Sequence, residues 1–284
     1  MPRQAKTSKR CWSDKPMTDV IIFGGQSNMQ GQSERLSENT PVKNALEYRL
    51  LTNSLVPLSN PVGEDIRYDG TAGVPYAKGQ IRLRDWLTAH ALGSACDGHT
   101  NLVPAFCRAY LEVCGGSVIA VHAAKGSTEI GDWLPHTAGY GILCRKAQSA
   151  LQLLKKSNAE IGQVYFVWLQ GESDAIAGRS NTYYKEKLTT LADALCTDLG
   201  VERVGIIRVG HFTRDTRDDE IIRAQDEICR EDSRFLMLTD LATALNERPD
   251  CMNPHVGGHY SAKGLELLGD AAGKALGKHR MSQK

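Results

Sequence analysis

The chain has almost no net charge: 34 Lys and Arg against 33 Asp and Glu leave a formal +1 at pH 7. No global field therefore draws it to nucleic acid or to an anionic membrane surface. It has no long apolar run, so nothing in it reads as a transmembrane segment. The basic, polar stretch Met1–Lys15 is not followed by an apolar core, so it does not read as a secretory signal, and a disordered leader is the expectation for residues 1–17. Repeats and low-complexity tracts are absent too.

Two phosphate-binding signatures are missing from the one Gly-rich turn that would carry them. Gly31 is followed by Gln32 and Ser33, not by the Lys-Ser/Thr pair of a Walker A loop. No Gly-x-Gly-x-x-Gly is present, which excludes the dinucleotide fingerprint. Nucleotide cofactors are not expected, and neither is a metal. Cys251, His255 and His259 lie close in sequence, but Pro254, Gly257 and Gly258 prevent the helix that would place an i, i+4 histidine pair on one face.

Eight cysteines are present, at positions 11, 96, 107, 114, 144, 196, 229 and 251. They are scattered, and Cys107, Cys144, Cys196 and Cys229 fall in apolar, helical-looking segments. Buried reduced thiols in a cytoplasmic protein are the expectation, not a disulfide scaffold.

What is there is a core. With 284 residues and 41% hydrophobic content, one large α/β domain spanning residues 18–278 fits better than two, with a tail at 279–284. Apolar runs at Val20–Phe23, Ser117–His122, Val164–Leu169, Val204–Val209 and Phe235–Leu238 read as buried strands. Between and after them, helical spacing covers Val103–Cys114, Gly141–Lys156, Thr182–Leu199, Asp218–Arg230 and Ala262–Leu276. The alternation predicts five parallel strands joined by right-handed crossovers. Glu47–Leu58 reads as a short strand or hairpin, and Asn60–Gly79 as an excursion over the ligand-binding edge.

In open sheets of this kind, ligands bind beyond the carboxyl ends of the strands. Three loops there carry chemistry. Val20–Phe23 runs into Gly24-Gly-Gln-Ser-Asn-Met-Gln-Gly31, placing Ser27 in a polar turn. A lone serine in a strand-to-helix turn often only caps the helix, so Ser27 needs partners. Val164–Leu169 ends in Gln170-Gly-Glu-Ser-Asp174, where capping explains Ser and Asp but not Gln170. The third loop is Asn253-Pro-His-Val-Gly-Gly-His-Tyr-Ser261, which carries His259 into the last helix. A serine hydroxyl is a weak nucleophile, and a histidine can take its proton. A carboxylate can orient the imidazole, and N–H donors can hold the oxyanion of acyl transfer.

Gly25-Gln-Ser-Asn-Met-Gln-Gly31, Trp168-Leu-Gln-Gly-Glu-Ser-Asp174 and His259-Tyr-Ser-Ala-Lys-Gly264 resemble three hallmark segments of the sialate O-acetylesterase and acetylxylan esterase group of the SGNH hydrolases. Ala123-Ala-Lys-Gly-Ser-Thr-Glu-Ile-Gly-Asp-Trp133 is similar to a fourth. The resemblance implies a three-layer α/β/α, flavodoxin-like fold on a central five-stranded parallel sheet. It further implies a serine esterase that removes O-acetyl groups from sialic acid or a xylan-type sugar without a cofactor, with Ser27 as nucleophile and His259 as base. Oxyanion donors would be the Ser27 N–H and Gln170, with Asn101 as the candidate for a loop donor. Many superfamily members place the acid three residues before the histidine, where this chain has Val256. Glu172 is the expected acid, Asp250 the reserve, and a backbone carbonyl the remaining option.

Val256 keeps alive a non-catalytic carbohydrate-binding module as an alternative. A thioesterase or lipase on the same fold is a second, weakened by the lack of an aliphatic lid. Trp133, Trp168 and Tyr260 would suit a sugar face, unless they are core. Arg67, Arg82, Lys125 and Arg214 are possible partners for a sialate carboxylate. Oligomeric state is not legible.

Overall fold

The computed structural model describes residues 17–34, 39–64, 100–213, 215–254 and 256–283. The expected leader (apart from Met17), most of the Asn60–Gly79 excursion, and Arg67, Arg82, Arg214 and His255 lie outside them.

Val20, Ile21, Ile22 and Phe23 are fully buried and form the middle of strand β1, Thr18–Gly25. A strand apolar on both faces must be covered on both faces, and this one sits in the interior of the sheet. Its neighbours are β4 (Ser117–Ala124) on one side and β5 (Ile161–Leu169) on the other, both parallel. Strands β6 (Arg203–Ile207) and β7 (Phe235–Thr239) continue the parallel series beyond β5. All five strands predicted from sequence are thus present.

The sheet nevertheless has seven strands and is mixed, which corrects the five-stranded parallel expectation. Its order is β3-β2-β4-β1-β5-β6-β7. The extra pair is a hairpin of β2 (Ala45–Arg49) and β3 (Ser54–Pro57), in which β2 runs parallel to β4 and β3 antiparallel to β2. Sequence reading located this hairpin but not its place in the sheet, because the buried face of β2 includes a charge. Glu47 is fully buried, bonded to Arg49 at 2.8 Å and to the Gly63 N–H at 2.8 Å.

The crossovers supply the outer layers. α2 (Val103–Cys114) leads from the β1 region to β4, and α8 (Ala262–Ser282) follows β7; these two pack tightly together on one face. Gly269, Gly273 and Gly277 form a stripe at four-residue spacing on α8. A Cβ added at the first two would lie 2.5 Å from the Leu102 carbonyl oxygen and 2.2 Å from that of Phe106. Close approach of the two helices requires that stripe. α3 (Ala138–Lys156), α5 (Asn181–Leu199) and α6 (Arg217–Glu231) cover the opposite face, as right-handed crossovers demand when the chain reverses direction across the sheet. Two short helices, α4 (Glu172–Ile176) and α7 (Ala242–Asn246), follow β5 and β7.

α8 runs through 279–282, most of the segment expected to be a tail, because Arg280 is needed inside. Its Nε donates to Asp19 Oδ2 at 3.0 Å, while Tyr110 of α2 donates to the same oxygen at 2.6 Å. Asp19 Oδ1 accepts the Gln163 N–H at 2.7 Å. One buried carboxylate at the start of β1 therefore ties β5, α2 and α8 together. Cys107 and Cys144 are buried as expected, whereas Cys196 and Cys229 are only partly so. No helix among the described residues is long and apolar enough to cross a membrane.

Candidate active site

Between β1 and β5 the chain switches direction: from β1 it passes to β4 on one side, then returns to β5 on the other. Such a switch leaves a crevice beyond the strand ends. Gly25, the last residue of β1, has φ +142°, and a Cβ there would lie 2.0 Å from the Leu169 carbonyl oxygen. Only glycine lets β1 turn so close to β5. The turn delivers Ser27 as the first residue of the single-turn helix α1 (Ser27–Gln30), with Gln26 in the capping position. Ser27 is therefore not a helix cap, and its N–H, at the first helical position, has no intrahelical acceptor.

The end of β4 folds over this turn. Lys125 N–H donates to the Gly25 carbonyl at 3.0 Å, and Gly126 N–H donates to Gln30 Oε1 at 2.7 Å. A Cβ added at Gly126 would stand 3.4 Å from Ser27 Cβ. Lys125 is half-buried, and loss of hydration lowers its pKa.

Beyond β5, Gln170 is fully buried and committed. Its Nε2 donors face Gln26 Oε1 at 3.1 Å, the Thr128 carbonyl at 2.9 Å and Asp174 Oδ2 at 2.6 Å. Its Oε1 accepts from the Tyr184 hydroxyl at 3.0 Å. Two N–H groups facing three acceptors leave nothing for an oxyanion, so this geometry makes Gln170 a tie between the β1 and β5 loops. Gln26 completes the tie by accepting the Ser173 N–H at 3.1 Å, near the start of α4. Burial raises the Asp174 pKa to about 6, against the opposing effect of bonds from Gln170 and the Ile130 N–H.

Glu172 is also buried, and desolvation raises its pKa, opposed first by the bond from Asn28. Asn28 Nδ2 donates to Glu172 Oε1 at 2.8 Å, and Glu172 Oε2 is buried without a partner among the described residues.

His259 sits on the loop before α8, where its N–H donates to the Val256 carbonyl at 3.2 Å and its carbonyl accepts from Asn253 at 2.8 Å. The ring Nδ1 lies 2.9 Å from the Gly257 carbonyl oxygen. A carbonyl only accepts, so Nδ1 carries the proton and Nε2 keeps its lone pair. Nε2 is buried and has no hydrogen-bond partner among the described residues. Desolvation lowers the ring's pKa, partly offset by its hydrogen bonds to backbone. The ring Nδ1 thus meets a backbone carbonyl, the option the sequence left open, and no hydrogen bond or ion pair joins Glu172 or Asp250 to the ring. Asp250 is half-exposed, paired with Lys263 and Arg248, and these partners bring its pKa down to about 2.

Asn101 is buried against α1. Its Oδ1 accepts the Val103 N–H at 3.0 Å, while Nδ2 is buried with no partner among the described residues. A Cβ on Gly31 would lie 2.4 Å from Asn101 Cβ. A buried N–H₂ beside the helix that carries Ser27 fits an oxyanion donor.

The three loops meet at Asn28, which touches Glu172 and the backbone on both sides of His259. The family model for "Carbohydrate esterase, sialic acid-specific acetylesterase" matches residues 17–276. The chain belongs to this sialic acid-specific acetylesterase family. It is accordingly a carboxylic ester hydrolase of the carbohydrate O-acetylesterase kind. No curated protein sequence matches it. Among solved structures, a protein from Arabidopsis thaliana shares 18% identity and a TM-score of 0.59, over 92% of this chain and 98% of the other. A carbohydrate acetylesterase from Xanthomonas citri gives 14% and 0.44, over 88% and 55%. A G-D-S-L family lipolytic protein from Veillonella parvula gives 14% and 0.43, over 90% and 96%. The first supports the fold.

Within this esterase, Trp133 and Trp168 are fully buried against each other, ring centroids 5.7 Å apart, and Tyr260 is buried as well. They are core and not a sugar platform. An aromatic that does stand at the site is Phe212, partly exposed and edge-on to the His259 ring at 5.6 Å. It follows β6 in Gly210-His-Phe-Thr213, a strand end that sequence reading passed over. Gln26 and Asn28 were missed too, although both stand beside Ser27 in the same polar turn.

Proposed function

We propose that this esterase deacetylates a carbohydrate through an acyl-enzyme on Ser27. His259 Nε2 takes the Ser27 proton as Oγ bonds to the acetyl carbonyl carbon, and the carbonyl π electrons move onto oxygen. The Ser27 N–H and Asn101 Nδ2 hold that oxyanion, each donor being worth roughly 3 kcal/mol by analogy with other acyl-transfer sites. Collapse expels the sugar oxygen, which takes the proton from His259. Water then repeats the sequence on the acetyl-serine, with His259 as base, releasing acetate and restoring the hydroxyl.

The observation that carries the reading is His259: a buried imidazole whose tautomer is set by the Gly257 carbonyl and whose Nε2 is left open, on a loop tied to the residue after Ser27. Setting aside the β2–β3 hairpin, the other five strands stand in the order second, first, third, fourth, fifth, which supports a flavodoxin-like arrangement with the site at its switch point. Lys125 supports a substrate bearing a carboxylate, such as an acetylated sialic acid, because a half-buried cation gains from an anionic partner.

The test is acetate release from acetylated sialic acids, acetylated xylo-oligosaccharides, and acetyl and octanoyl esters of one alcohol. Turnover of acetylated sugars, with sialates ahead, is expected. Preference for octanoyl esters would move the reading to a lipase, and no turnover at all would move it to a binding module.

A further inference from the structure

We infer that Asn28 is the positioning residue that sets the His259 loop, and that Glu172 acts through it and not on the imidazole directly. This rests on the esterase reading for its activity assay, but the geometry stands on its own. Asn28 is buried, one residue after Ser27. Its amide has two N–H donors and one carbonyl acceptor. One donor goes to Glu172 Oε1 at 2.8 Å, and Nδ2 also makes a longer contact with the Gly258 carbonyl at 3.5 Å. The acceptor takes the Tyr260 N–H at 3.3 Å. Gly258 and Tyr260 flank His259, so a single side chain grips the backbone on both sides of the base.

That loop needs holding. Gly258 has φ +74°, and a Cβ at Gly257 would meet nothing within 4 Å. An unclamped pair of glycines can swing the ring, and a displacement of about 1 Å at a catalytic group can cost on the order of 10² in rate.

Glu172 supplies the direction of the clamp. An asparagine amide fits a cavity two ways round, related by a flip of its oxygen and nitrogen. A carboxylate only accepts, so Glu172 draws the N–H₂ toward itself and leaves Oδ1 facing the Tyr260 N–H. With the ring Nδ1 already on the Gly257 carbonyl, the acid has no need to touch the imidazole.

The test compares wild type with Glu172→Gln, Asn28→Asp and the double variant, measuring kcat and KM for acetyl ester hydrolysis beside thermal melts. Glu172→Gln keeps an acceptor for Asn28, and kcat should stay within about tenfold of wild type; a directly orienting acid would cost roughly 10⁴ on the same change. Asn28→Asp is isosteric but sets one carboxylate against another and against the Gly258 carbonyl. It should cut kcat roughly 10²-fold with KM little changed. In the double variant the introduced glutamine can donate to the introduced aspartate, which still accepts from Tyr260, so kcat should recover at least about tenfold over Asn28→Asp. A Glu172→Gln loss near 10⁴, an unimpaired Asn28→Asp, or a folded double variant without recovery would overturn the inference.

NMR on the wild type provides an arm that depends on neither variant folding nor turnover. Coupling across the hydrogen bond from the His259 Nδ1–H to the Gly257 carbonyl carbon is expected, and coupling to the Glu172 carboxyl carbon would overturn the inference. Failure of wild type to release acetate would count against the esterase reading alone.

Discussion

His259 Nδ1 donates to the Gly257 carbonyl at 2.9 Å, two residues back on its own loop, and this bond leaves Nε2 as the free lone pair of the site. A carbonyl orients a ring without adding a full negative charge beside it. Burial therefore dominates, and it holds the imidazole below its usual pKa of 6.5.

The consequence is a pH profile. A base must be neutral to work, and a lowered pKa keeps it neutral to lower pH. The kcat/KM for acetyl ester hydrolysis should rise with pH through a midpoint below the ordinary 6.5 of the ring and be level by neutral pH. A midpoint above that value would mean that an anion sits on the ring.

Asp250 should be dispensable. It is half-exposed and engaged with Lys263 and Arg248. Asp250→Asn should leave kcat within about twofold and the thermal melt nearly unmoved, since exposed ion pairs add little to stability. A large fall in kcat would return it to the role of triad acid.

Asp19 and Arg280 form an ion pair buried where α8 meets the first strand, with side chains 9% and 8% exposed. Arg280→Ala strands a buried carboxylate and should cost about 3–5 kcal/mol in denaturant unfolding. A loss below about 1 kcal/mol would show that α8 does not depend on this anchor.

His122 should contribute an acid-sensitive part of the stability. It is buried on β4, donates from Nε2 to the Met29 carbonyl at 3.0 Å, and burial lowers its pKa from 6.5 to about 4. The folded state thus binds the proton more weakly than the unfolded chain does. Its contribution is complete above pH 6.5 and is lost as pH falls toward 4, by an amount on the order of 3 kcal/mol. Asp174, raised to about 6, works in the opposite sense over much of this range. The clean measurement is the difference between wild type and His122→Asn: wild type should lose more stability on acidification, and equal slopes would contradict the assignment.

Sequence disclosed what periodicity and strand ends encode. Val20–Phe23 and its four parallel companions stand out because strands covered on both faces are continuously apolar. Ser27 and Glu172 stand out because each follows an abrupt end to such order, and His259 because its polar, Gly-rich loop leads into the last helix. The membership of β2 in the sheet stayed hidden behind buried Glu47, whose charge is met by Arg49, nearby Lys146 and the Gly63 N–H. The partner of His259 was out of reach for a different reason. Gly257 and Gly258 permit many loop paths, and only the fold decides whether a carboxylate or a carbonyl arrives at Nδ1. The same holds for Gln170, whose amide looks free in the motif and is consumed by Gln26, Thr128 and Asp174 in space.

The central claim is that Ser27 is the nucleophile. Incubation with a fluorophosphonate probe, followed by mass spectrometry of the peptide containing residues 18–31 and acetate-release assays, addresses it directly. The account predicts a covalent adduct on Ser27 and acetate release from an acetylated sugar, both abolished in a folded Ser27→Ala variant. Acetate release that survives in that variant, or an adduct on another residue, would contradict it.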